Sequence, residues 1–232
     1  MINEIKNKIH ILHNIYIKHK YFIKKKSYSM DGEDLFISDY FKDRKLGFYV
    51  DVGCYHPLDG NNTYLLHKKG WKGINLDINK LSIELFNVAR KKDFNVNVAV
   101  SNKSKRVKVY YRKKINMLNT IDKKFAKVNF KKGFNTKTIY SNSLDSILEK
   151  SKYRNKKIDF LNIDIEGNEI NALKSFNFTK YKPKLVCIEI HNLKTTKNNV
   201  SYYKESPIYK FLNKKSYKLL WNNGFSFIFK NK

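Results

Sequence analysis

This sequence predicts an α/β fold, with a mostly parallel sheet covered by helices on both faces and closed by an antiparallel hairpin at its C-terminal end. Three observations carry that expectation. From residue 48 onward, short β-branched and aromatic runs alternate with helical patterns, which is the signature of a parallel sheet with right-handed crossovers. The runs are apolar at successive positions, as strands buried on two faces are. The final two runs flank Asn222-Asn223-Gly224, and Asn-Gly between β-rich segments is a strong short-range hairpin signal. A chain of 232 residues buries enough surface as a single domain to need neither disulfides nor a structural metal.

Residues 1–27 read as a basic amphipathic leader helix. Ile2, Ile5, Ile9, Leu12 and Tyr16 recur at three- and four-residue steps with lysines between them. Such a helix packs on its own domain or makes peripheral contact with a membrane surface, and both readings stay open. Residues 28–232 form the main domain. It opens with a helix around Leu35–Phe41, for which Ser29 or Asp31 is the candidate N-cap and Glu33 and Asp34 suit the positive end of the dipole. Strand one is Gly47–Cys54, followed by turn formers and a helix from Thr63 to Lys69. Strand two is Trp71–Asp77, and the next helix covers Lys80–Lys91. Strand three is Phe94–Val100. Residues 104–142 break the rhythm, with one extra strand at Val107–Tyr111 and then a lysine-rich stretch of little periodicity. A segment of that kind reads as a lid or substrate-binding insertion. Ser143 caps another helix. Ile158–Gly167 is the fourth main strand, feeding a helix at Glu169–Phe176; Lys184–His191 is the fifth. A helix at Ile208–Lys215 and the hairpin arms Tyr217–Trp221 and Phe225–Phe229 complete a sheet of seven.

The formal net charge is +28. Only Arg44, Arg90, Arg106, Arg112 and Arg154 are arginines, and the lysines are spread along the chain. Phosphate-reading surfaces normally use the planar fork of Arg. Diffuse lysine therefore reads mainly as solvated surface, with nucleic acid kept as the less favoured partner. Cys54 and Cys187 lack metal-ligand or disulfide spacing and fall in apolar strands, which points to a reducing, cytoplasmic compartment. No run of about 18 apolar residues marks a transmembrane segment.

In open α/β sheets, ligands bind beyond the carboxyl ends of the strands. Strand one ends in Asp51-Val52-Gly53-Cys54, strand two in Asp77, strand three in Ala99-Val100, strand four in Asp164-Ile165-Glu166-Gly167 and strand five in Glu189-Ile190-His191. Asp51-Val52-Gly53 alone is equally a tight turn. Asp77, at the end of the adjacent strand, is placed to accept the hydroxyls of a ribose. There is no Gly-x-Gly-x-x-Gly and no phosphate loop. A nucleoside without phosphates fits better, and S-adenosylmethionine is the common one.

Ser29–Leu35, Phe48–Pro57, Asn61-Asn62-Thr63, Gly70–Ile74, Ile158–Gly167 and Pro183 leading into the Glu189 strand resemble, in order, the blocks of the FkbM methyltransferase family. The departures are Asp77-Ile78 where the family more often has Glu-Pro, and Cys54 in place of a small Ala. The resemblance implies a class I, Rossmann-like methyltransferase fold over residues 28–232, using S-adenosylmethionine. It implies that Asp51, Gly53 and Cys54 border the methionine part, with Asn62 and Thr63 at the following helix start. Asp77 would hold the ribose, Ala99 and Val100 the adenine, and Asp164 the methionine amine, a pairing that charge complementarity favours.

The implied reaction is methyl transfer to an oxygen of a sugar, glycan or related small-molecule acceptor. A neutral hydroxyl gains from a base in reach. His191, Glu166 and Glu189 are the catalytic candidates, and His191 has the most suitable intrinsic pKa. Capping of the next helix is the competing use of Asp-x-Glu-Gly. Asp164, Glu166 and His191 could also hold a divalent cation that acidifies the acceptor. An RNA methyltransferase and a non-catalytic polyanion- or membrane-binding module are the alternatives.

Overall fold

In chain order the strands are β1 (Phe48–Val52), β2 (Lys72–Asp77), β3 (Phe94–Asn97), β4 (Ala99–Val100), β5 (Lys105–Tyr111), β6 (Asn135–Asn142), β7 (Phe160–Ile163), β8 (Leu185–Glu189), β9 (Tyr217–Asn222) and β10 (Ser226–Asn231). The structure is a computed structural model that describes residues 2–113, 115–191 and 202–232. Seven strands form the main sheet in the order β3-β2-β1-β7-β8-β10-β9. The pairs from β3 through β8 are parallel, and β10 runs antiparallel to both β8 and β9. This is the α/β sheet with a C-terminal hairpin that the sequence predicts. Strand order reverses between β1 and β7, so the carboxyl ends of β1, β2, β7 and β8 surround the expected ligand crevice.

The helices are α1 (Ile2–Leu12), α2 (Glu33–Tyr40), α3 (Tyr64–Lys68), α4 (Lys80–Ala89), α5 (Lys123–Asn129), α6 (Leu144–Lys150), α7 (Glu169–Lys174), α8 (Phe178–Tyr181) and α9 (Pro207–Lys214). Alternation along β1 divides the core. Phe48, Val50 and Val52 face a layer with Leu144, Ile147, Leu173 and Leu212 from α6, α7 and α9. Tyr49 faces the other way, with Ile37 of α2, Phe41, Leu66 and Trp71. All five residues of β1 are buried, as a strand covered on both faces requires.

Four local expectations change. Strand three is divided: Phe94–Asn97 pairs with β2, whereas Ala99-Val100 pairs with β6 in a second, three-stranded sheet ordered β4-β6-β5. The stretch after β5 is ordered, containing α5 with its Asp122 cap and the whole of β6. β6 escapes notice in the sequence because Asn, Thr and Lys occupy its exposed positions, which leaves no apolar alternation. At α2 the N-cap is Gly32, while the Ser29 hydroxyl accepts from the Gly32 and Asp34 N–H groups.

The leader packs on its own domain by a different face from the expected one. Ile11 and Ile15 are buried with Leu58, Tyr64 and Leu85, whereas Ile5, Ile9 and Leu12 are exposed. The Ile2 side chain lies outside the described residues. A π-helical turn at His13–Lys18 follows α1 and buries Asn14, whose Oδ1 lies 2.8 Å from His56 Nε2 in the loop after β1. The His56 Nδ1 accepts from the Leu58 N–H. This arrangement requires the neutral imidazole with its proton on Nε2.

Burial depresses His56 to about 2, and the charges of His19, Arg90, Lys18 and Lys25 add to the effect. The unfolded chain takes up a proton below about pH 6.5 and the folded chain does not. The contribution of neutral His56 is therefore complete above that pH and is lost as pH falls toward the folded value. Between pH 6.5 and about 5 the expected loss is about 2 kcal/mol. Urea unfolding near pH 7 and pH 5 should show a shallower pH dependence in His56→Gln by that amount; equal slopes would remove His56 from this role.

Candidate functional site

Gly53 ends β1 with a φ of +84°, and its N–H and that of Cys54 both donate to the Leu76 carbonyl of β2. The turn thereby crosses the end of β2 and borders a cavity beside it. Val52, Gly53 and Tyr55 form one wall, Leu76, Asp77 and Ile78 the next, and Val98, Ala99 and Val100 the floor. Asp164, Ile165 and Asn168 close the β7 side, while Asn116, Met117, Asn119 and Ile121 come across from the segment between β5 and α5.

Asp77 is held at the rim. Its Oδ2 accepts from the Tyr55 N–H at 2.8 Å and its Oδ1 from the Asn79 N–H at 2.6 Å. Each oxygen keeps a further lone pair for a ligand. Burial lifts its carboxyl to about 6, against the opposing pull of the two N–H donors. Asn168 Nδ2 donates to the Val100 carbonyl at 2.8 Å, tying the cavity floor to the start of α7. The Asn119 Oδ1 is buried without a donor.

The structure places five of the nine cofactor candidates on the cavity wall: Gly53, Asp77, Ala99, Val100 and Asp164. The other four stand behind it. Asp51 is fully buried; its Oδ1 accepts from Asn162 Nδ2 at 2.9 Å and its Oδ2 from the Thr63 hydroxyl at 2.9 Å. Asn62 donates to Asn162 Oδ1 at 3.0 Å. Thr63 also accepts from Arg90, and Cys54 packs against Ile83 and Phe86. These residues hold the β1 loop in shape. Sequence reasoning missed Arg90, Tyr55, Asn119 and Asn168. Arg90 alone carried a signal, as one of few arginines among many lysines.

Beside Asp164, the ends of β7 and β8 bring the three catalytic candidates together. His191 Nε2 lies 3.0 Å from Glu189 Oε2 and 3.4 Å from Glu166 Oε2, with Glu169 Oε1 at 4.0 Å. The imidazole edge packs on Phe125 of α5. Glu166 has a φ of +58°, and its carbonyl accepts from the Thr120 hydroxyl at 2.6 Å. The N-cap of α7 is Asn168, which makes no side-chain cap bond, and the Glu169 carboxylate accepts from the Ile165 and Gly167 N–H groups of the turn before the helix. That leaves Glu166 free of the capping role.

Burial raises Glu166 to about 8, with repulsion from Glu189 adding to it. Asp164 is raised well above the usual carboxylate range by burial and then by Glu189 and Glu166. For His191, burial pulls downward, but the adjoining Glu189 carboxylate outweighs it and holds the imidazole near 9. Glu189 is in turn lowered, because His191 overcomes the upward push of burial. Three carboxyl groups thus share one imidazole at the edge of the cavity, with Asp164 on the cavity wall beside them.

Residues 51–227 match a family model described as Methyltransferase FkbM domain. No curated protein sequence gives a significant match. Among solved structures, a TehB-like SAM-dependent methyltransferase from Corynebacterium glutamicum is similar at 11% identity and a TM-score of 0.46, over 100% of both chains. A putative type 11 methyltransferase from Sulfolobus solfataricus is similar at 11% identity and a TM-score of 0.41, over 89% of this chain and 94% of that one.

Proposed function

Because this chain belongs to the FkbM family of S-adenosylmethionine-dependent methyltransferases, we propose that it methylates a hydroxyl oxygen of a sugar, glycan or related small-molecule acceptor. The cavity suits the cofactor: it has a carboxylate with free lone pairs at one rim, an apolar floor and a glycine at the closest approach of the backbone. Asp77 would hold the ribose. Ala99 and Val100 would line the adenine, with the unpartnered Asn119 oxygen able to accept from its amine. Gly53 and Asp164 would meet the methionine end. The bound cofactor supplies an electrophilic methyl group. Asn116–Ile121, within the 104–142 insertion, would cover it.

The observation that carries the acceptor class is the placement of Glu166, Glu189 and His191 next to the methionine end of this cavity. Transfer forms a bond from the acceptor oxygen to the methyl carbon as the sulfur–methyl bond breaks, leaving its electron pair on sulfur. The hydroxyl proton passes to a carboxylate of this cluster. Among the described residues no Lys or Arg pairs with these carboxylates. A phosphate-bearing acceptor such as RNA would find no Lys or Arg there to receive it, whereas a neutral hydroxyl needs none. The two buried, free thiols suit a reducing cytoplasm.

The test is transfer of radiolabelled methyl onto a panel of free sugars and glycans, followed by alkaline treatment. An alkali-stable sugar ether is the expected product; label found only as labile ester, or only on nitrogen or RNA, would reject the hydroxyl acceptor. For the cofactor, Asp77→Asn should weaken S-adenosylhomocysteine binding at least about tenfold, or ~1.4 kcal/mol. Since burial holds the carboxyl near 6 and ribose hydroxyls favour its charged form, wild-type affinity should fall as pH drops below that value. Calorimetric titration at about pH 5 and 7.5 checks both; unchanged affinity would remove Asp77 from the ribose role.

A further inference from the structure

We propose that Glu166, Glu189 and His191 form a divalent-cation site that takes an oxygen of the methyl acceptor. The inference rests on the hydroxyl-acceptor reading and gives these three groups the task of holding an ion that acidifies the hydroxyl. Glu166 Oε2, Glu189 Oε2 and His191 Nε2 all lie within 4.8 Å of one another. All three atoms are buried and none has a hydrogen-bond partner, so their short separations are not aligned hydrogen bonds. Glu166 is only 7% exposed, and among the described residues no hydrogen bond engages its carboxylate. Buried polar atoms are ordinarily satisfied, and three orphans pointing at one another call for a missing partner.

Charge says what that partner is. Glu166, Glu169 and Glu189 converge on a single imidazole, and in a chain with 48 Lys and Arg residues none of those described answers them. Buried carboxylates left without compensation are costly. A divalent ion would supply two positive charges at the point where these three atoms meet, displacing the proton that His191 holds there in the ion's absence. Capping does not explain the Asp-x-Glu-Gly sequence, because the N-cap of α7 is Asn168 and no side chain caps the helix. One imidazole nitrogen with two carboxylate oxygens suits a first-row ion such as Mn²⁺ better than Ca²⁺, which prefers an all-oxygen shell. Water and the acceptor oxygen would complete the coordination, and binding to the ion would lower the pKa of the acceptor hydroxyl.

The experiment is a Mn²⁺ titration of the chelator-treated protein, followed by loss of the free-ion EPR signal, with S-adenosylmethionine-dependent thermal stabilisation recorded on the same samples. One ion per chain is expected, bound at least about tenfold more weakly by Glu166→Gln, with the cofactor response retained. If Glu166→Gln loses that response, Glu189→Gln is judged by the same criterion. A cofactor-responsive protein that binds no stoichiometric Mn²⁺, or binds it equally well in both variants, overturns the proposal. The titration contains no acceptor, so its failure leaves the methylation reading standing. Stoichiometric binding lost in the variants, in a protein whose product is not a hydroxyl ether, supports the site and overturns the acceptor role assigned to it.

Discussion

Alanine at Gly53 is expected to cost at least about 4 kcal/mol and to abolish stabilisation by S-adenosylmethionine. Two separate effects add at this position. The first is backbone strain: φ is +84°, and a residue with a Cβ in the left-handed region costs about 1–3 kcal/mol. The second is overlap. A methyl group built on Gly53 falls 1.6 Å from the Asp164 carbonyl oxygen and 2.7 Å from its carbon, both backbone atoms. Asp164 N–H donates to the Val52 carbonyl at 2.9 Å, so relief would require breaking the junction between β1 and β7 beside the proposed cofactor cavity. Gly224→Ala separates the two effects, because φ there is +94° and the added methyl meets open space. Chemical denaturation should show Gly224→Ala losing only the strain component. A Gly53→Ala protein that unfolds no more easily than Gly224→Ala would mean that the β1–β7 junction yields.

The residues that were legible in the sequence are those whose role follows from position along a strand. Asp77 and Asp164 lie at or just beyond strand ends, and any ordering of a parallel sheet brings such residues to one edge. Glu166, Glu189 and His191 meet for the same reason, since β7 and β8 are neighbours with Ile163 opposite Ile188. Asp51 shows where this logic stops. By pattern it is as good a ligand residue as Asp77, but Asn162, Thr63 and Asn61 claim its oxygens, and Asn162 comes from a different strand. The divided third strand fails similarly. Alternation in hydropathy continues unbroken through Phe94, Val96, Val98 and Val100, yet Val98 N–H bonds to the Asp77 carbonyl and the next two residues leave for the second sheet. The leader shows a third limit. It carries apolar residues on more than one face, and the shape of the Leu58–Tyr64–Leu85 surface, absent from the local pattern, selects Ile11 and Ile15.

Arg90→Met is expected to destabilise the fold by about 3–5 kcal/mol, the usual cost of removing one member of a buried charge network. Arg90 is 1% exposed and its guanidinium gathers the β1 loop from three directions. Nη1 donates to the Thr63 hydroxyl at 2.7 Å, and Nη2 donates to the Pro57 carbonyl and to Asn61 Oδ1, each at 2.7 Å. Its charge is balanced through intermediaries: the Thr63 hydroxyl leads to Asp51, and Tyr49 leads to Asp93, which also accepts from Gly73 N–H and Asn75. The rings of Phe86 and Tyr64 cover it at 4.8 and 5.4 Å. Methionine fills much of the volume but leaves Asn61 Oδ1 and the Pro57 carbonyl without this donor, and Asp51 without its nearest positive charge. Lysine should restore little, because one ammonium cannot span the Thr63 and Asn61 sides as a planar fork does. In a chain of this size the Met variant should melt roughly 10 °C lower, with the urea midpoint falling in step. A loss below about 1 kcal/mol in Arg90→Met would show that the Asp51 cluster supports itself, and the shape of the β1 loop would then depend on Asn162, Thr63 and Asn61.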